Sequence, residues 1–269
     1  MEIDAYLQRI GHIGDVQPTE ATLRSLHRAH LFALPFENLD IHLGRKIVCD
    51  ESRILRKIVS ERRGGFCYEL NGAFAALLGA LGFRVTLLSG RVASQGGGYG
   101  PDFDHLTLRV DLRVDLEEPW LADVGFGDCF LEPLRLDSRA EQPRNGRVYR
   151  LTSVDGVFSL GVLAEGKWKT EYVFTLQPHE LSDFAGMCHY HQTSPDSHFT
   201  RQRICSLATP DGRITLSDKK LIEIREGARH ERLLSGDQEW RVQLSQRFGV
   251  VLPESEPGPN ESSKKAPIS

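Results

Sequence analysis

RGGFCYELNGAFAALLGALGF, residues 63–83, reads as the central helix of the molecule. Gly64 and Gly65 stop whatever helix precedes them, Cys67 opens the next one, and the residues that follow are apolar over most of the helix surface, as in a buried helix of a helical lobe. Upstream, residues 19–34 place Leu23, Leu26, His30 and Leu34 at helical spacing behind a Thr19 cap. Asp50 opens another helix with Ile54, Leu55, Ile58 and Val59 on one side. The first third is therefore helical.

Downstream, from about Arg84, the period changes. In HLTLRVDLRVD, Leu106, Leu108, Val110, Leu112 and Val114 alternate with polar neighbours, which predicts a long half-buried strand with His105 on its polar parity. VYRLTSV and VFSLGVL are joined by Asp155-Gly156, a strong hairpin signal, and KWKTEYVFT follows after another glycine turn. The middle third is an antiparallel sheet or small barrel. A short helix after Pro178, the hairpin ICSLATP-DGR-ITLSD and a helix over 239–248 make the last part mixed. The fold class is α+β. The tail PESEPGPNESSKKAPIS, residues 253–269, has the composition of a disordered segment.

The chain has 269 residues, 40% hydrophobic and 26% charged, enough to bury a sizeable core, and a formal net charge of -4 with mixed signs argues against nucleic-acid binding. No apolar run suits a membrane span and the start lacks a secretory pattern, so a cytoplasmic location is expected. The five cysteines, Cys49, Cys67, Cys129, Cys188 and Cys205, are odd in number and widely spaced without a CxxC, which fits reduced thiols, one of them chemical.

Cys67 is the candidate nucleophile. A thiol at a helix start lies near unpaired N–H groups and the positive end of the helix dipole, which stabilise a thiolate. The two glycines would let the backbone turn sharply and leave N–H donors for an oxyanion. A thiolate nucleophile works with a histidine and a group that orients it. His105 and Asp123 are the candidates, Asp123 because a carboxylate between Ala122 and Val124 is costly unless paired. Taken singly, each residue also reads as structural: a core cysteine, a satisfied sheet histidine, a strand-end cap. If strands 105–114 and 120–126 form a symmetric hairpin, His105 lies opposite a residue near 129. Its meeting with Asp123 then requires an asymmetric loop, a bulge or a different pairing.

LPFENL (34–39), RGGFCYELNGAF (63–74), DHLTLRV (104–110), LADVGFG (121–127) and SPDSHFT (194–200), in that order, resemble the arylamine N-acetyltransferases. The resemblance implies an N-terminal helical bundle (1–83), a central antiparallel β-barrel (84–190) and a C-terminal α/β lid (191–252), with a cysteine-protease- or transglutaminase-like core. It implies a Cys67-His105-Asp123 triad, acetyl-CoA as co-substrate and no metal. In the implied ping-pong cycle Cys67 is acetylated, and an arylamine, arylhydrazine or arylhydroxylamine takes the acetyl group. Phe36, Val92, Phe126 and Phe199 match positions that line the substrate cleft. Gly127, Thr193, Ser194 and Ser197 match donor contacts, and Glu37 pairs with Arg63 as support. The protein would be a monomer or homodimer with small aromatic amines as partners, without nucleic acid or membrane.

Two relatives of this chemistry stand beside that reading: an amide synthase acting on a carrier-bound acyl chain, and a cysteine hydrolase of the same fold. A metal or regulatory module built on Cys188-His189-Tyr190-His191 is disfavoured, because adjacent helical residues point apart. GGGYG (96–100) lacks the GK[ST] ending of a phosphate loop and reads as a strand connection.

Overall fold

The computed structural model describes residues 3–94, 96–113 and 116–253. Val114, the last member of the alternating run, and the tail from 254 onward lie outside the described residues. Helices α1 (Ile3–Ile10), α2 (Glu20–Ala33), α3 (Leu39–His42), α4 (Glu51–Leu55) and α5 (Cys67–Ala80) make the first lobe. Thr19 and Asp50 cap α2 and α4 with their side chains, as their positions predict. The helix that Asp50 opens loosens into a π turn over Arg56–Ser60 and stops there, ahead of the glycine pair. Helix α5 is buried at ten of its first twelve positions, which its apolar circumference requires.

Eight antiparallel strands form a nearly closed barrel in the order β5-β4-β3-β2-β9-β8-β7-β6. They are β2 (Arg84–Val92), β3 (His105–Arg113), β4 (Leu116–Ala122), β5 (Leu134–Arg135), β6 (Gln142–Arg144), β7 (Arg147–Val154), β8 (Val157–Ala164) and β9 (Lys167–Phe174). The seam between β5 and β6 is closed by one side chain. The Gln142 amide accepts the Arg135 N–H at 2.8 Å and donates to its carbonyl at 3.0 Å, standing in for a strand ladder. Asp155 and Gly156, both with positive φ, make the predicted two-residue turn between β7 and β8.

The half-buried reading of β3 is corrected here. Leu106, Leu108, Val110 and Leu112 pack on the helical lobe, and Leu88, Leu121, Leu151, Leu160 and Tyr172 fill the barrel. His105 and Thr107, on the polar parity, are also buried, because β3 is sandwiched between α5 and the barrel interior. Its polar face is an inside face.

Two short strands, β1 (Phe36–Glu37) in the first lobe and β10 (Ile204–Thr209), pair and open a second sheet. It continues through β11 (Gly212–Ser217), β12 (Lys220–Arg225) and β13 (Ala228–Leu233). Helices α6 (Ala185–Thr193) and α7 (His198–Arg201) precede this sheet, and α8 (Asp237–Phe248) packs Trp240, Leu244 and Phe248 against it. Phe184 and Cys188, before and within α6, join the core of the helical lobe instead.

The glycine pair works differently from the expectation. Neither Gly64 nor Gly65 has positive φ, and the Gly65 N–H donates to the Pro35 carbonyl at 3.3 Å, so it is not free for an oxyanion. What both positions require is the absence of a side chain. A Cβ on Gly64 would stand 1.9 Å from the Pro35 oxygen, and one on Gly65 2.6 Å from the Glu69 Cβ. Gly64→Ala is therefore expected to cost about 1–3 kcal/mol of unfolding free energy, read from a urea titration. A midpoint equal to wild type would refute the close-packing account.

Candidate active site

The first turn of α5 brings Cys67 to the floor of a cleft of about 680 Å³. Glu69, two residues on, accepts the Phe66 N–H at 3.2 Å and closes the helix start. Beneath it lies a buried ionic network: Lys57 Nζ reaches Glu69 at 2.7 Å and Asp40 at 2.8 Å, while Arg63 reaches Glu37 at 2.7 Å and Asp40 at 3.0 Å. The expected Glu37–Arg63 pair is part of it. Burial, reinforced by the neighbouring Glu37 charge and only partly offset by Lys57, pushes Glu69 up to about 7. Its folded-state affinity for protons exceeds that of the unfolded chain. The associated stability is thus present below the ordinary carboxylate range and lost as pH rises through about 7. Against Glu69→Gln, wild type is expected to lose relative stability between pH 5 and 8 in parallel denaturant titrations. A flat difference across that window would contradict this.

His105 opens β3, and the register explains how it meets Asp123. Strand β4 begins at Leu116, not near 120, and its pairing with β3 has an irregularity between Asp111 and Arg113. Leu108 then pairs with Ala122, so continuing the ladder sets Thr107 against Asp123 and His105 diagonally across from it on the same face. His105 Nε2 donates to Asp123 Oδ2 at 2.7 Å. His105 and Cys67 line the same cleft, and the thiol lies near enough to help hold the imidazole proton. Burial alone would lower the His105 pKa, but the Asp123 charge and hydrogen bond, with Cys67 adding, raise it to about 10. Asp123 is held below its usual range: burial would raise it, and the His105, Asn71 and Tyr172 contacts overcome that.

Three residues that the sequence reading passed over complete this arrangement. Asp123 Oδ2 also accepts the Tyr172 hydroxyl at 2.8 Å, and Oδ1 accepts Asn71 Nδ2 at 2.9 Å and the Gly125 N–H at 3.0 Å. Every oxygen site that faces a donor is used. His27 Nε2 accepts the Asp123 N–H at 3.1 Å and Nδ1 donates to the Leu131 carbonyl at 3.0 Å, which fixes one neutral tautomer. Burial pushes His27 down to about 4, in keeping with a neutral ring. Asn71 carried a readable signal, an amide one helical turn after Cys67 on an otherwise apolar helix. Tyr172 and His27 carried none, because they reach the site from other elements. Gly125 touches the nucleophile's backbone: a Cβ there would lie 2.8 Å from the Cys67 Cα.

Phe36, Val92, Phe126 and Phe199 all line the cleft, as expected, and Phe126 sets its ring edge-on to His105 at 5.1 Å. Gly127 and Ser197 line it too. Thr193 and Ser194 do not: the Thr193 hydroxyl turns back to the His189 carbonyl at 2.9 Å, and the Ser194 hydroxyl accepts the Asp196 N–H at 3.2 Å. Arg213 and Arg229, on the second sheet, give the cleft two cationic side chains that the sequence reading did not single out. Cys188, His189 and His191 diverge, with Cys188 in the core, His189 exposed and His191 beside Asp104.

An N-acetyltransferase family model matches residues 19–256. The chain is 32% identical to a pineal-gland arylamine N-acetyltransferase isozyme of Gallus gallus, over 94% of this chain and 95% of that one. It belongs to the arylamine N-acetyltransferase family. A Salmonella typhimurium relative, named arylamine N-acetyltransferase / N-hydroxyarylamine O-acetyltransferase, is 35% identical over 93% of this chain and 89% of its own. The Mycobacterium marinum arylamine N-acetyltransferase in complex with CoA superposes with a TM-score of 0.85 at 31% identity, covering 93% of each chain. Membership makes the protein an acyltransferase, and the α+β class with helical bundle, antiparallel barrel and second sheet is that of its structural relatives. No helix among the described residues is long and apolar enough to cross a membrane.

Proposed function

We propose that this arylamine N-acetyltransferase moves an acetyl group from acetyl-CoA to the nitrogen of arylamines, arylhydrazines or arylhydroxylamines through an acetyl-Cys67 intermediate. The observation that supports it is the His105–Asp123 hydrogen bond beside Cys67 at the floor of an open apolar cleft. In this cycle His105 already holds the proton given up by Cys67, and the resulting thiolate attacks the thioester carbonyl. The first-turn N–H groups of α5 face the developing oxyanion. CoA leaves as a thiol with the proton from His105, and the incoming amine attacks acetyl-Cys67 while His105 accepts its proton. Asp123 touches no substrate in this scheme; it holds the imidazole in register. Phe36, Phe126 and Phe199 provide flat apolar walls for an aromatic acceptor. Gly127 and Ser197 border the donor, and Arg213 and Arg229 are the cleft's cations available to its phosphates. The helical bundle, barrel and lid, with boundaries near 83 and 190, act as three parts of one site, and the enzyme works in the cytoplasm.

The test is kinetic and by mass. Incubation with acetyl-CoA alone is expected to add one acetyl group to Cys67, and a subsequent arylamine to remove it as the N-acetyl product. Double-reciprocal plots at several amine concentrations should be parallel. Acetate released at a rate indifferent to amine would point to the hydrolase, and failure to acetylate from acetyl-CoA while accepting a carrier-bound chain would point to the amide synthase. Tyr172→Phe removes one charge-assisted hydrogen bond from Asp123 and is expected to slow transfer about tenfold, measured as kcat/KM, with the fold unchanged by circular dichroism. A rate indistinguishable from wild type would show the hydroxyl to be incidental.

A further inference from the structure

One buried polar atom on the cleft wall is left without a hydrogen-bond partner. His191, in α6, is 4% exposed and lines the cleft together with Asp104, Ser197 and Phe199. Its Nδ1 lies 3.3 Å from the Ser197 hydroxyl. Its Nε2 lies 3.2 Å from Asp104 Oδ1 yet makes no hydrogen bond among the described residues, so the approach has ion-pair distance without hydrogen-bond alignment. A lone pair turned on a carboxylate at that distance would be repelled, so Nε2 carries the ring proton and Nδ1 accepts the Ser197 O–H. The Ser197 oxygen itself takes the Phe199 N–H at 3.3 Å. Asp104 is held from its other side, where Oδ2 accepts the Val92 N–H at 3.4 Å. The wall thus offers one N–H donor and one carboxylate acceptor, side by side and not spent on each other. A buried donor left unpaired is costly, and a ligand that pairs it recovers that cost.

We propose that His191 and Asp104 select acceptor arylamines whose ring carries a primary carboxamide, a preference that rests on the transferase reading. In a primary carboxamide the carbonyl oxygen and the syn N–H share one edge. The oxygen can accept from His191 Nε2 while the N–H donates to Asp104 Oδ1. A carboxylate has no proton for Asp104 and is repelled by it, and a ketone meets only His191. The secondary amides of CoA, being trans, point N–H and C=O in opposite directions and cannot meet both groups at once. The surrounding rings agree with this placement. Phe199 packs edge-on with Phe66, the neighbour of Cys67, at 5.7 Å, and with His191 at 5.2 Å. An acceptor ring laid on Phe199 with its amine toward Cys67 therefore turns its opposite edge to His191.

Two measurements on the full chain test this, the first independent of catalysis. Dissociation constants from ligand-observed NMR are expected to be at least about tenfold lower for benzamide than for acetophenone, which lacks the N–H, or for benzoate. In transfer, kcat/KM for 4-aminobenzamide is expected to exceed that for 4-aminoacetophenone and 4-aminobenzoate by a similar factor. Asp104→Asn should shrink the margin over 4-aminobenzoate at least about fivefold by removing the repulsion, and His191→Phe should raise the KM for 4-aminobenzamide. Equal binding of the three ligands to wild type overturns the proposal, whether or not acetyl groups are transferred and whether or not the variants fold. A KM for acetyl-CoA that rises in Asp104→Asn with the acceptor preference unchanged assigns the pair to the donor and also overturns it. Preferred binding of benzamide without transfer to any arylamine supports the pair's preference and overturns the transferase reading alone.

Discussion

Cys67→Ala is expected to lower acetyl transfer at least about 10⁴-fold and to abolish the acetyl adduct, since no other group can take the acetyl through this cycle. The substitution removes one sulfur from a position that is 4% exposed and keeps the helix start, whose closure runs through Glu69 and the Phe66 N–H. The cost to stability should therefore stay near 1–2 kcal/mol, far too little to unfold the protein. Activity is read as thiol release from acetyl-CoA with an arylamine present, and the adduct by intact mass. Residual transfer within tenfold of wild type would remove Cys67 from the mechanism. The same thiol should be distinguishable by reactivity: burial pushes Cys129 and Cys205 well up, so iodoacetamide at neutral pH should label Cys67 and Cys49 ahead of them. Labelling led by Cys129 or Cys205 would contradict the assignment.

The parts of this site that were legible in sequence are those set by local chemistry. Helix α5 follows from its apolar circumference, α2 and α4 from their caps, and the β7–β8 hairpin from Asp155-Gly156, because each signal acts within a few residues. The meeting of His105 and Asp123 depends on where β4 starts, and Leu-Glu-Glu-Pro is a poor advertisement for a strand. Reading it as loop displaced the ladder and sent His105 toward position 129. The structure restores the contact by pairing those residues with β3. The polar parity of β3 misled for a related reason: alternation announces two different faces, and here the second face looks into a barrel instead of water. Tyr172 and His27 reach Asp123 across 49 and 96 positions, and no local pattern encodes such pairings. Thr193 and Ser194 do not line the cleft, because hydroxyls at the end of a helix satisfy nearby backbone groups first.

Asp123→Asn is expected to reduce transfer about 10³- to 10⁴-fold with the cleft geometry preserved. The carboxylate accepts four donors, two on each oxygen, and an amide can accept on only one side. If the amide NH₂ faces His105, Nε2 must become the acceptor and the proton moves to Nδ1, the nitrogen left to face Cys67, where it blocks removal of the thiol proton. If the amide flips, its NH₂ confronts the Asn71 and Gly125 donors in a site where unpaired groups cost about 1–3 kcal/mol each. Either orientation also deletes the charge that holds His105 at about 10, so burial would take over and lower it. The pH dependence has a definite sign. Wild-type His105 binds its proton more tightly folded than unfolded, so its contribution to stability is present below the ordinary imidazole range and lost as pH rises through about 10. Asp123, held low, contributes above the ordinary carboxylate range and loses that contribution in acid. The stability gap between wild type and Asp123→Asn should therefore be widest in the weakly acidic to neutral range and narrow toward both extremes. Denaturant titrations at several pH values measure it, and a gap that widens steadily toward alkaline pH would mean that the pair is not charged in the way its geometry requires.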